Sequence, residues 1–260
     1  MSPQQQPPRS LRHEYEVYVE REIEDYKDSI SRSAILAIGD EAVSILRAQE
    51  QVTLDELLLC VEVDRIIMKR LRIPTYKTWR RRHLKLMEQY RRPEHWGLQA
   101  DAPVVRAIHP VVDSRVLVAG DTVAGGNALY LAAHGCRVTA VETEPDAVER
   151  VISAAQRAGL TERLTGRIGK LDGWAPEEPL AAVVCTAAAF ADLSNAQREQ
   201  VIRVLQSATL DGGVHLVETI VAGQVAISLS ELRSRYRGWE ISVERKGGES
   251  RTFLARKGAA

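Results

Sequence analysis

The chain of 260 residues is poor in cysteine, with only Cys60, Cys136 and Cys185. Their odd number, wide spacing and apolar surroundings exclude a disulfide scaffold and a zinc cluster. No segment approaches the roughly 20 apolar residues of a membrane span. The opening MSPQQQPPRS has no apolar run behind it and is not read as a signal peptide. The expected compartment is therefore the cytoplasm, with no membrane partner. None of the six histidines pairs with another His or with Cys at ligand spacing, so no metal is expected. Serine-hydrolase elbows and glycosidase-like carboxylate pairs are missing too.

What is present is an ordinary globular composition, 45% hydrophobic and 27% charged, with a formal net charge of zero. The charge is unevenly spread. Glu14 to Asp28 carries seven acidic residues, and Glu62 to Arg92 carries eleven basic against three acidic. These blocks are suited to face each other, within a chain or across a dimer, or the basic one to meet a polyanion.

Residues 1–11 are polar and proline-rich and are expected to be a disordered tail. Residues 12–98 read as almost entirely helical, a cap or partner-binding region. Helices are expected over Glu14–Ser29, Arg32–Ala48, a segment after Thr53, and Thr75–Tyr90, with Pro74 and Pro93 as breaks. The third carries an apolar stripe at Leu54, Leu57, Leu58, Val61, Ile66 and Leu71. The last, rich in Arg80, Arg81 and Arg82, raises a helix-turn-helix reading. Consecutive arginines spread round a helix, which favours a solvated helix packed through Trp79, Leu84 and Met87 over nucleic-acid binding.

From residue 99 to 260 strands and helices alternate. Val116–Ala119 is an apolar strand that ends in a glycine-rich turn. A helix over about Gly126–His134 and a second strand, Arg137–Val141, lead to Glu142. Strand, glycine loop, helix, strand and acid make half of a doubly wound sheet built around a nucleoside. Glycine permits close backbone approach, and a helix N-terminus offers unpaired N–H groups. A carboxylate at the strand end, Glu142, is placed to take ribose hydroxyls. Further strands are expected at Leu164–Ile168, Ala181–Thr186 and Val214–Thr219. A hairpin, Trp239–Arg245 and Arg251–Arg256 turned at Gly247-Gly248, closes the chain. The expected fold is α/β: a Rossmann-like, seven-stranded, mostly parallel sheet with a C-terminal antiparallel hairpin, preceded by an all-helical region. A dehydrogenase fits poorly because the glycine spacing is wrong, and a phosphate loop is excluded because no Lys-Ser/Thr follows the glycines.

Three segments carry a family resemblance: GNALYLAAHGCRVTAV over Gly126–Val141, LDGG over Leu210–Gly213, and ELRSRYRGWE with FLARK inside Glu231–Lys257. Together they resemble the class I S-adenosylmethionine-dependent methyltransferases, and within them the tellurite-resistance type, over about Gln99 to Lys257. The resemblance implies S-adenosylmethionine as cofactor and a small soluble acceptor, a chalcogen or thiol compound. It implies Gly120 and Gly125 in the cofactor loop, Glu142 on the ribose, and Leu171 or Asp172 beside the adenine. It places Thr186 to Leu193, Phe190 included, along the methyl-transfer cavity. Little acid–base machinery is needed, because the sulfonium makes the methyl group reactive and the protein chiefly positions the nucleophile.

The departures are specific. The loop reads VAGDTVAGGN, with Val118 where the family has an acid and Thr122 at the place of a second glycine. Asp121 is open to two roles, capping the following helix or touching the cofactor amine. Gly169-Lys170 stands where an acid most often meets the adenine amino group. A working methyltransferase and a degenerate domain that only binds nucleosides or partners both remain open. Tyr90 and Trp96, at the junction with the sheet domain, are read either as a lid over the cofactor mouth or as a hydrophobic clip. A homodimer through the helical region is the expected self-association. The helical region is expected to pack over the carboxyl edges of the strands.

Overall fold

The computed structural model describes residues 10–48, 55–121, 125–221, 224–245 and 251–258. By its internal contacts the chain divides into two units, Met1–Leu86 and Met87–Ala260. The division falls earlier than the change of sequence period at residues 98–99. Of the tail expected to be disordered, residues 1–9 lie outside the described residues, while Ser10 and Leu11 already begin a helix.

The helical unit contains α1 (Leu11–Ser29), α2 (Arg32–Arg47), α3 (Glu56–Leu71) and most of α4 (Tyr76–Tyr90). Serine hydroxyls cap the first two: Ser10 accepts from the His13 N–H at 3.2 Å and Ser31 from the Ala34 N–H at 3.3 Å. Ile23, Ile38, Ala42, Ile66 and Ile67 form the buried core. Trp79 is buried beside Tyr15, Tyr18 and Tyr76 and stacks on His83 at 4.5 Å. The two charge blocks touch where the Glu14 carboxylate lies 3.2 Å from His83 Nε2 and where Lys27 lies 2.9 Å from the Asp64 carboxylate.

The apolar stripe expected on α3 is only partly a core stripe. Ile66 is buried, but Leu57 is 70% exposed, Val61 51%, and Leu58 and Leu71 are exposed as well. Leu54 lies outside the described residues. The inward face is set instead by Glu62, Ile66 and Ile67, with the Glu62 carboxylate held by Arg65 at 3.0 Å. Leu84 is exposed too, so α4 is anchored in its own unit by Trp79 and not by Leu84. Arg80, Arg81 and Arg82 are all solvated.

In the sheet unit the strands are β1 (Arg115–Ala119), β2 (Arg137–Glu142), β3 (Leu164–Ile168), β4 (Leu180–Cys185), β5 (Thr209–Glu218), β8 (Glu240–Arg245) and β9 (Arg251–Arg256). A separate two-stranded ribbon, β6 (Ile220–Val221) and β7 (Gln224–Val225), follows β5. The sheet order is β3-β2-β1-β4-β5-β9-β8. The first five strands run parallel, and β9 lies antiparallel between β5 and β8. The hairpin turn expected at Gly247-Gly248 lies outside the described residues.

Strand alternation builds two cores. Val116, Val118, Val138, Ala140, Ala182, Val184 and Leu216 face α5 (Pro103–Ala107), α6 (Gly126–Ala133) and α7 (Pro145–Arg157). Leu117, Ala119, Val141, Val183, Cys185 and Val217 face α8 (Asn195–Ala208) and α9 (Leu229–Arg235). Tyr130 is a core residue.

One correction concerns Leu210 to Gly213, expected as a turn before the fifth strand. These residues form an irregularity inside β5, because Thr209 already pairs with Leu180 and the register shifts before Ala182 meets Val214. Gly212 takes φ +75°, which few side chains tolerate.

The second core contains a polar chain whose proton positions are fixed. The Thr209 hydroxyl donates to the Leu205 carbonyl at 2.6 Å, so its oxygen must accept from His215 Nε2–H, also at 2.6 Å. His215 Nδ1 is then free of hydrogen and accepts from the Tyr236 hydroxyl at 2.7 Å. His215 is fully buried, and burial together with nearby Lys257 lowers its pKa to about 3. The unfolded chain takes up a proton near pH 6.5 that the folded chain refuses until about pH 3. This term is thus fully present above pH 6.5 and is lost as pH falls, at up to about 1.4 kcal/mol per unit. Urea titrations from pH 7 to 4 should show stability falling in step, with the fall removed in His215→Gln. An equal slope in that variant would contradict the assignment.

Candidate functional site

A cleft opens at the carboxyl ends of β1 to β4. It is lined by Ala119 and Gly120 after β1, Val141 and Thr143 around the end of β2, and Gly169, Lys170 and Leu171 after β3. Ala188, Ala189, Asp192 and Leu193 after β4 complete it. The sheet order reverses direction between β1 and β4, and ligands of open α/β sheets bind at that reversal. The cleft therefore lies where strand order alone would put it.

Gly120 shapes its floor. Its φ is +73°, and a Cβ there would stand 2.6 Å from the Ala189 N and 2.7 Å from Thr186 Oγ1. No side chain fits without moving backbone, so the turn after β1 and the turn after β4 are in direct contact. The Thr186 hydroxyl donates to the Gly120 carbonyl and clips the two turns together. Gly125 is packed on α7: with φ +63°, a Cβ there would meet Val151 at 2.2 Å. Residues 122–124, including Thr122, lie outside the described residues.

Glu142 ends β2 and is 2% exposed. Its Oε1 accepts from the Asp121 N–H at 2.6 Å, while its buried Oε2 has no hydrogen-bond partner. An unmet carboxylate oxygen in a protein interior is costly, and native structures keep few of them. Burial raises the Glu142 pKa to about 7; the Asp121 N–H and nearby Arg150 oppose this, and the Asp121 charge adds to it.

Asp121 takes the capping role. Its Oδ2 accepts from the Asn127 N–H at 2.9 Å, at the start of α6. Burial raises its pKa, and the Glu218 charge adds to the rise.

The remaining expected residues separate. Leu171 is buried and lines the cleft, whereas Asp172 points to α8, accepting from Gln197 Nε2 at 2.6 Å. Thr186 borders the cleft through Gly120. Phe190 is 1% exposed and packs in the second core, where it anchors the turn after β4. Tyr90 and Trp96 pack against the first core, with Trp96 Nε1–H donating to the Tyr90 carbonyl at 2.6 Å. The Trp96 carbonyl crowds Gly126, leaving only 2.6 Å for a Cβ. Neither ring lines the cleft; the pair fastens the entering chain to the first turn of α6. Thr143 and Lys170 line the cleft without having been singled out as ligands. A signal existed, since both lie just past the carboxyl ends of strands, Thr143 one residue after β2 and Lys170 two residues after β3. Among the described residues no group of three or more His, Cys, Asp or Glu could hold a metal ion. Nor is any described helix long and apolar enough to cross a membrane.

No protein-family model matches the chain, and no curated protein matches it by sequence. Solved structures do. TehB from Haemophilus influenzae superposes with a TM-score of 0.50 at 19% identity, over 61% of this chain and 60% of its own. A protein of Nostoc punctiforme assigned as an O-methyltransferase gives 0.51 at 14% identity, over 66% of this chain and 60% of its own. The match thus spans less than two thirds of either protein. It shows the fold: the sheet unit has the class I methyltransferase architecture, with the inserted antiparallel strand.

The state of Glu142 has a measurable consequence. Its pKa is higher folded than unfolded, so the carboxyl costs stability as pH rises from about 4.5 to about 7. In Glu142→Gln that cost disappears. The variant should gain about 1–2 kcal/mol on wild type between pH 5 and pH 8, less than the full shift because the adjacent cleft admits water. Equal pH profiles in chemical denaturation would show that Glu142 is not held in this way.

Proposed function

We propose that the protein binds S-adenosylmethionine and transfers its methyl group to a small soluble acceptor. The observation that carries this reading is the unmet, buried Oε2 of Glu142, a residue that stands between the cleft-lining Val141 and Thr143. A ribose hydroxyl supplies the donor that this oxygen lacks. Leu171 offers the apolar wall that a purine ring prefers, and Gly120 lets the backbone approach a ligand without a side chain between. When bound, the cofactor supplies a positively charged sulfonium whose methyl carbon is strongly electrophilic. The chain's own part is to hold the nucleoside, fix the turns after β1 and β4 through Thr186, and exclude water. A thiol or chalcogen acceptor agrees with the sequence resemblance.

A second reading, a nucleoside-binding domain without transfer, is favoured by one observation. Asp121 is engaged on Asn127 and Asp172 on Gln197, so two acids that could hold the cofactor have partners within the chain.

Calorimetry with S-adenosylmethionine, S-adenosylhomocysteine and adenosine separates the two. The transferase reading expects both sulfur-bearing ligands to bind well ahead of adenosine. Glu142→Ala should weaken all three by about 1–3 kcal/mol, the cost of a hydrogen bond to a charged group. Adenosine binding as tightly as the others would favour the second reading. No binding by any of them at millimolar concentration would end the first.

A further inference from the structure

The helical unit holds a recess of its own, about 440 Å³ in volume, between α2 and α3. That is the size of a small-molecule site. Arg65, Lys69 and Arg72 line it, at spacings that put them along one side of α3. Arg70 joins them. Two of these four cations are neutralised at the wall: Arg65 lies 3.0 Å from the Glu62 carboxylate, and Arg70 binds that of Glu41. Lys69 and Arg72 have no acidic partner among the described residues. The recess therefore carries two positive charges without counter-charge. Ile45 and Ile66 supply an apolar wall beside them.

Arg72 is costly where it stands. It ends α3 with φ 52° and ψ 42°, the left-handed conformation. Glycine is the usual residue there, because a Cβ is strained in it. One other described non-glycine residue, Asp113, has a positive φ. The Asp113 side chain has a visible task, holding both Arg137 and Arg163. The Arg72 side chain has no such partner and lines the recess instead. A cation suits a helix C-terminus, but Lys69 and Arg70 already supply that in the last turn. Strain of this kind points to a task for the side chain.

We infer that this recess is a binding site for a small organic phosphate, with Arg72 and Lys69 on the phosphate group and Ile45 and Ile66 against the body of the ligand. The planar guanidinium fork matches two phosphate oxygens, and the ammonium adds a point charge. A polynucleotide fits less well, because Arg80, Arg81 and Arg82 do not line the recess. The site uses none of the residues of the methyl-transfer reading and stands or falls apart from it.

The test is calorimetric titration of the full chain with phenyl phosphate and with inorganic phosphate, in wild type, Arg72→Gly, Lys69→Gln and Arg81→Gln. Wild type should bind both, phenyl phosphate more tightly because its ring meets the apolar wall. Arg72→Gly and Lys69→Gln should each weaken phenyl phosphate at least about fivefold. Arg81→Gln removes a solvated charge that does not line the recess, and should change the affinity by less than about twofold. Glycine suits the backbone at position 72, so Arg72→Gly without ligand should unfold at no lower a temperature than wild type. Its lost binding then has no folding explanation. No binding by wild type at millimolar probe overturns the inference, as does affinity unchanged in Arg72→Gly and Lys69→Gln. Equal weakening in all three variants marks diffuse surface charge and overturns it too. Equal affinity for the two probes overturns the organic class, and binding of duplex RNA or DNA with neither probe bound overturns the site. If Lys69→Gln does not fold, Arg72→Gly decides.

Discussion

The hydrogen bond from the Asp121 N–H to Glu142 Oε1 is the contact on which the site depends. It ties the turn after β1 to the end of β2. The same residue's carboxylate then caps α6 at Asn127, so one short segment sets both the acid and the helix start. With Oε1 engaged, the other carboxylate oxygen is held in place, buried and unmet. The Thr186 hydroxyl fixes the opposite wall by bonding the Gly120 carbonyl. The four parallel strands converge on this point because the sheet reverses its order between β1 and β4. The second core supports it from below, where the chain from Tyr236 through His215 to Thr209 joins α9, β5 and α8 without an unmet polar atom.

Much of the fold was legible in the sequence. Apolar runs mark β1, β2 and β4 to within a residue, because strands buried on both faces leave continuous apolar text, whereas β3, LTGRI, is mostly exposed. The start of α8 carries a signal in the sequence, since Ser194 and Gln197 form a capping box around it. The segment Leu210–Gly213 misled for a physical reason. Its glycines read as a turn, yet Thr209 is already in the ladder and the chain bulges and resumes. The stripe on α3 misled because periodicity finds an apolar face without saying what covers it: Leu57 and Val61 are exposed while Glu62, off the stripe, is buried with Arg65.

Of the residues expected at the site, Gly120 and Leu171 line the cleft and Glu142 ends β2 between two lining residues, positions that follow from strand ends. The position of Phe190 was not legible in this way: sequence order suggested a cavity wall, and alternation through a short turn sends the ring into the core. The capping role of Asp121 was one of two open readings. Only the placement of α6, with Gly125 pressed on Val151, decides it.

The central claim is that Glu142 waits for a hydroxyl donor. Hydroxyls that bond its open oxygen favour the charged form and lower its pKa from about 7. Binding near neutral pH should therefore release a proton. Calorimetric titration of S-adenosylmethionine at pH 6.5, in buffers of different ionisation enthalpy, measures that proton directly. The account predicts release of about half a proton or more at pH 6.5, vanishing in Glu142→Gln. Binding with no proton release, or with release unchanged in that variant, would contradict it.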